Sequence, residues 1–147
     1  MNKVLPVITT FIYMMFFTNA SFAAFHQAES LEVFFTNNTD YKCTLDAYLK
    51  HGEWHRKPPK SVSKHSVVYW IAEQGIYGPD IIITFNCGGY SFSTKNQQNF
   101  SEFEGGDQHC STFDVDKHLY VTNKQTQHAA FGSKLGKAEI YVALKGR

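Results

Sequence analysis

Two consecutive glycines, Gly88-Gly89, join a segment with Ile81, Ile83, Phe85 and Cys87 on one face to Tyr90-Ser91-Phe92-Ser93, where rings alternate with serines. Alternation of period two lines one face of a β-strand. Adjacent glycines can both take the positive φ that a two-residue type I′ hairpin demands. The unit is therefore an antiparallel hairpin with one apolar face, and that face needs further strands to cover it.

The chain supplies them. Leu31 to Thr36 is β-branched and aromatic, and Tyr41 to Leu49 puts Tyr41, Cys43, Leu45 and Ala47 on one face. Between these two segments Asn37-Asn38-Thr39-Asp40 has turn chemistry, so they read as an antiparallel hairpin. Gly52 to Lys60 reads as irregular, because Pro58-Pro59 removes two amide donors. Ser66 to Ala72 resumes strand character, and Gly75, Gly78 and Pro79 mark a loop before Asp80. Lys95 to Ser111 is polar and reads as a long surface loop with at most one short strand. Phe113 to Asp116 and Leu119 to Thr122 look extended, Asn123 to His128 is polar, and Ala138, Ile140, Val142 and Leu144 alternate with Glu139 and Tyr141. No segment of a dozen residues has a helical period. Seven or more short strands separated by turn signals predict an all-β chain, an antiparallel β-sandwich.

The amino end reads as a leader. Met1-Asn2-Lys3 is positive, Val4 to Phe17 is almost wholly apolar, and Ser21-Phe22-Ala23 offers the small residues a signal peptidase inspects. The apolar run is shorter than the ~20 residues of a membrane-spanning helix. Residues 1–23 are thus expected to be a cleaved signal peptide, and residues 24–147 a single secreted domain large enough for one core. Without Lys3 that domain holds 13 basic and 13 acidic residues, a balance that argues against a general nucleic-acid binder. Aromatic residues make up 16% of the chain. A domain this small has limited interior for them, so some rings should face ligand, partner or membrane.

Cys43, Cys87 and Cys110 follow the leader. Export makes one disulfide possible with one thiol left over, and the three pairings stay open, with Cys87–Cys110 carried as the candidate bridge; the alternative is that the cysteines are small buried hydrophobes. No C-x-x-C is present, so neither a structural zinc site nor a redox dithiol is expected. There is no G-x-S-x-G, H-E-x-x-H or P-loop, and no catalytic residue or cofactor is assigned. His51 and His55 stand four apart, a spacing that gathers two metal ligands only on a helix, and this glycine- and proline-bounded segment is not one. Glu102, Glu104 and Asp107 read as solvated loop carboxylates. The basic run His55-Arg56-Lys57, with Lys60 and Lys64, can meet phosphate or simply be a solvated loop. Adjacent Trp54 tilts the reading toward a membrane boundary, where an indole beside cations is at home. Core packing is the competing role for both tryptophans, more strongly for Trp70 in its apolar strand.

Asn37-Asn38-Thr39, Leu45, His51-Gly52-Glu53-Trp54, Pro58-Pro59, Val67 to Glu73 and Gly78-Pro79-Asp80-Ile81 come in a succession that resembles the aegerolysin family, in particular its bacterial insecticidal branch. Trp70-Ile71-Ala72-Glu73 matches that family's aromatic-V-A-E strand, Gly52-Glu53-Trp54 its G-x-W, and Gly136 to Val142 its last strand. Where the family has G-T-E-G, this chain has Gly78-Pro79-Asp80-Ile81, which keeps an acid and loses the second glycine. The resemblance implies a β-sandwich that binds sphingolipid- or sterol-containing membranes as the targeting component of a two-component, pore-forming cytolysin, with a second protein as partner. Together with the chain's own aromatic and basic residues it leads to the expectation of Trp54 and Trp70 as apolar lipid contacts, Arg56 and Lys57 on phosphate, and Asp80 on the head group. The alternative is a secreted sandwich that binds a protein or a glycan, as an inhibitor or adhesin does, with its aromatics packed inside.

Overall fold

The computed structural model describes residues 29–74, 78–98, 108–127 and 135–146. The expected leader and its expected cleavage site lie outside them. The described residues form ten strands and no helix: β1 (Glu29–Asn38), β2 (Cys43–His51), β3 (Glu53–Arg56), β4 (Ser61–Val62), β5 (Ser66–Gln74), β6 (Asp80–Cys87), β7 (Tyr90–Gln98), β8 (Gln108–Phe113), β9 (Leu119–Gln127) and β10 (Leu135–Leu144). Two five-stranded sheets face each other, one ordered β3-β5-β1-β10-β9 and the other β4-β2-β6-β7-β8. The β-sandwich is as expected from the alternation. All pairings are antiparallel except β1 with β10, which runs parallel. That exception arises because the first and last strands enter the middle of one sheet in the same direction.

The core lies between the sheets. Leu31, Val33 and Phe35 from β1, Trp70 and Ala72 from β5, and Ala138, Ile140 and Val142 from β10 meet Ile81, Ile83, Phe85 and Phe92 from the other sheet. Phe85 stacks on Phe92 with centroids 4.5 Å apart, and Phe35 closes on Phe85 at 4.6 Å. The β6–β7 hairpin forms as the sequence predicts, with φ of 65° at Gly88 and 96° at Gly89. At Gly88 a side chain would also collide with the Tyr41 ring.

Other expectations are corrected. β1 and β2 do not pair; they lie in opposite sheets. Asn37 explains the change of sheet, since its fully buried amide donates to the carbonyl oxygens of Tyr41 (2.8 Å) and Ser63 (2.9 Å). Its own carbonyl oxygen accepts from the Thr39 hydroxyl and N–H. The expected turn chemistry is present, but it builds an arch across the core, which lets the apolar faces of β1 and β2 meet the same interior from opposite sides. Glu53–Arg56, read as irregular, is an edge strand on β5 whose register shifts between Trp54 and Arg56. The bulge hides its alternation. β7 runs on to Gln98 and β9 to Gln127. Their far ends were invisible to a hydrophobic pattern because their inward residues are polar. Asn96 donates to Asn123 at 2.8 Å, and the Asn123 amide reaches the Ser111 carbonyl at 2.9 Å, which ties the β7–β8 edge to β9.

Candidate functional site

Gly52, with φ of 100°, turns the chain from β2 in one sheet into β3 at the edge of the other. Trp54 sits opposite Ala72 in β5, half-buried, with its ring packed against the core margin. Past the bulge, Arg56 holds its guanidinium 3.8 Å over the Tyr69 ring, and Tyr69 leans on Phe34 with centroids 5.6 Å apart. Stacking of this kind uses the flat face of the guanidinium and leaves its N–H rim free for an anion. His55 Nδ1 lies 3.7 Å from the Glu73 carboxylate. Lys57, Lys60 and Lys64 are exposed, and among the described residues they form no salt bridge. Pro58 and Pro59 hold the connection extended beyond the strand. The result is an edge strand with Arg56 stacked outward on Tyr69, exposed lysines in the segment that follows, and a half-buried indole packed at the core margin.

The five residues assigned from the sequence therefore separate. Trp54 and Arg56 share the β3 edge strand and Lys57 follows it directly, but the bulge sets Trp54 toward the core margin and Arg56 over the outward Tyr69 ring. Trp70 does not join them: it is fully buried, with Phe35 at 6.4 Å between centroids, and cannot reach a lipid surface without opening the sandwich. Asp80 is also withdrawn, on the other sheet and 2% exposed, with its carboxylate 3.5 Å from Lys95 and 4.0 Å from Lys50. Its role here is an internal ion pair at the start of β6, and a head group finds no access to it. Next to it Gly78, at φ 69°, packs where a Cβ would strike the Gln98 carbonyl, so this glycine serves the close approach of the loop to β7.

The candidate Cys87–Cys110 bridge is replaced by Cys43–Cys87. Those two residues stand directly opposite in the β2–β6 register, whereas β7 lies between β6 and the strand that carries Cys110. Cys110 is free and half-buried, and accepts from Asn96 at 3.4 Å and Gln108 at 3.7 Å. Burial pushes its thiol above the ordinary value, against the opposing effect of those two donors. His51 and His55 end in different sheets, and among the described residues no group of three or more His, Cys, Asp or Glu could hold a metal ion. Glu102, Glu104 and Asp107 lie outside the described residues. Sequence reasoning missed Tyr69 and Phe34. Their outward alternation within β5 and β1 was the available signal.

No protein-family model and no curated protein matches the sequence. Solved structures do match the fold. IP-1A from Alcaligenes faecalis superposes with a TM-score of 0.60 at 13% identity, over 84% of this chain and 96% of that one. The lipid binding protein Nakanori gives 0.60 at 8% identity, over 82% of this chain and 73% of its own. RahU, solved with a Tris molecule, gives 0.57 at 11% identity, over 81% and 97%. At these identities the likeness is one of fold.

Proposed function

We propose that this is an exported membrane-lipid-binding protein of the aegerolysin type, released by cleavage before Ala24, that acts as the targeting component of a two-component pore-forming cytolysin on sphingolipid- or sterol-containing membranes. The observation that carries the reading is the β3 edge, where Arg56 stacks over the outward Tyr69 ring, the exposed Lys57 follows directly after the strand, and the half-buried Trp54 sits at the core margin of the same strand. An indole at a polar–apolar boundary with cations beside it suits the head-group layer of a bilayer. The shared fold of a protein described as lipid binding supports the same reading. Binding here needs no bond-breaking chemistry, only apolar contact from Trp54 and phosphate contact from Arg56 and Lys57.

Sedimentation of the domain from Ala24 with liposomes of varied sphingolipid, sterol and anionic lipid content tests the proposal. Each cation near an anionic surface is worth about 1 kcal/mol, so R56A/K57A should weaken binding to anionic vesicles about 30-fold. Dye release should require a second protein. Equal binding by wild type and the double variant, or no binding to any vesicle, would refute the assignment.

A further inference from the structure

The outward face of the β1–β5–β9–β10 sheet carries a feature that membrane targeting through β3 leaves unused. Between the strands is an open trough of about 480 Å³. Register sets its floor in two rows: Thr36 and Tyr141 beside Thr122, then Phe34 and Glu139 beside Lys124. Tyr120, 53% exposed, stands edge-on to Tyr141 with centroids 6.3 Å apart and planes at 69°. Asn38 donates to the Tyr141 hydroxyl at 2.7 Å and fixes that ring. Lys124 and Glu139 face each other at 4.0 Å, both largely exposed.

We infer that this trough is a carbohydrate site that takes one neutral pyranose ring. The aromatic walls offer flat apolar surface, which suits the C–H face of a sugar. The Lys124–Glu139 pair offers a donor and an acceptor side by side, so adjacent hydroxyls can each make a charge-assisted hydrogen bond. The same pair carries no net charge, so it gives neither a lone cation nor a lone anion a net attraction. An organic cation drawn to the rings would meet the Lys124 ammonium, and a phosphate drawn to Lys124 would meet the Glu139 carboxylate. A neutral polyol meets no like charge. The size falls within the range of small-ligand sites, which pair aromatic walls with a few convergent polar groups. Trp54, Arg56 and Lys57 do not line the trough, so this inference and the membrane reading stand or fall separately.

The test is a printed array of neutral, sialylated and sulfated glycans probed with the domain from Ala24, alongside neutral vesicles with and without a monohexosyl glycolipid. Neutral glycans should be retained over charged ones. Glu139→Gln should weaken retention by about tenfold or more, the effect of one lost contact to a charged group, and Tyr120→Ala should weaken it by removing an aromatic wall, each with an unchanged far-ultraviolet spectrum. Trp54→Ala should bind sugar as the wild type does. Retention on the array identifies a free or protein-linked sugar as the source, and retention on glycolipid vesicles alone a lipid-linked one. No sugar-dependent retention on either support, retention of charged glycans only, or full retention by both trough variants overturns the site. Failure on sugar-free anionic vesicles would count against the β3 edge and leave the trough untouched.

Discussion

Replacing Trp70 with Ala deletes a fully buried indole from beside Phe35, and thermal or urea melts should show a loss of about 3–5 kcal/mol. Trp54 is half-buried, so Trp54→Ala should cost only about 1–2 kcal/mol while vesicle binding falls further than stability explains. A Trp54 loss as large as that of Trp70 would make the indole a core residue. Lys95→Met should cost about 3 kcal/mol, since among the described residues it leaves the buried Asp80 carboxylate with only Lys50 at 4.0 Å. Lys50→Met, which removes a more exposed and more distant cation, should cost less than about 1 kcal/mol. Cys110 titrates above its ordinary value because burial disfavours the thiolate. At about pH 8 it should therefore react with iodoacetamide more slowly than a free thiol, faster as pH rises, and readily once the chain is unfolded. Prompt labelling of the folded protein at that pH would contradict its burial.

Strands are joined in this sandwich by devices that work at the level of the element. The Cys43–Cys87 bridge links β2 to β6 across a separation of 44 residues. By the chain-entropy estimate its removal should cost about 4 kcal/mol. C43S/C87S compared with wild type in urea measures this, and a C110S variant should leave stability nearly unchanged. A bridge through Cys110 would reverse the two outcomes. The edge strands are treated differently from the central ones. β3 is short and bulged and carries Arg56, and β9 carries Lys124. Charge and irregularity at an edge hinder pairing with another chain. In β3 the same bulge turns Arg56 toward Tyr69, so a feature that protects the edge also shapes the candidate lipid contact.

At the scale of the whole molecule the two proposed contacts occupy different parts of one sheet: the β3 edge for lipid phosphate, and the trough along β1, β10 and β9 for a sugar. Both depend on the sandwich holding its outward residues in fixed rows, and both use side chains that the core does not need. The fold is shared with proteins at 8–13% identity, a level at which core pattern persists while surface chemistry diverges. Function therefore has to be argued from side chains such as Arg56 and Tyr120.

What the sequence by itself determined is the face on which each residue of an alternating segment lies. The β6–β7 hairpin, the inward sets Ile81-Ile83-Phe85 and Ala138-Ile140-Val142, and the β-sandwich class all follow from a period of two, which is a local property. Period two says nothing about neighbours. Only the tertiary structure decided that β1 leaves β2 for β10, that Cys87 meets Cys43, that Trp70 and Asp80 turn inward, and that Arg56 lies over Tyr69. The polar inner ends of β7 and β9 were hidden for a related reason. Asn96 and Asn123 are satisfied by each other across 27 residues of sequence, and a buried polar side chain shows its partner only once the chain has brought the two together.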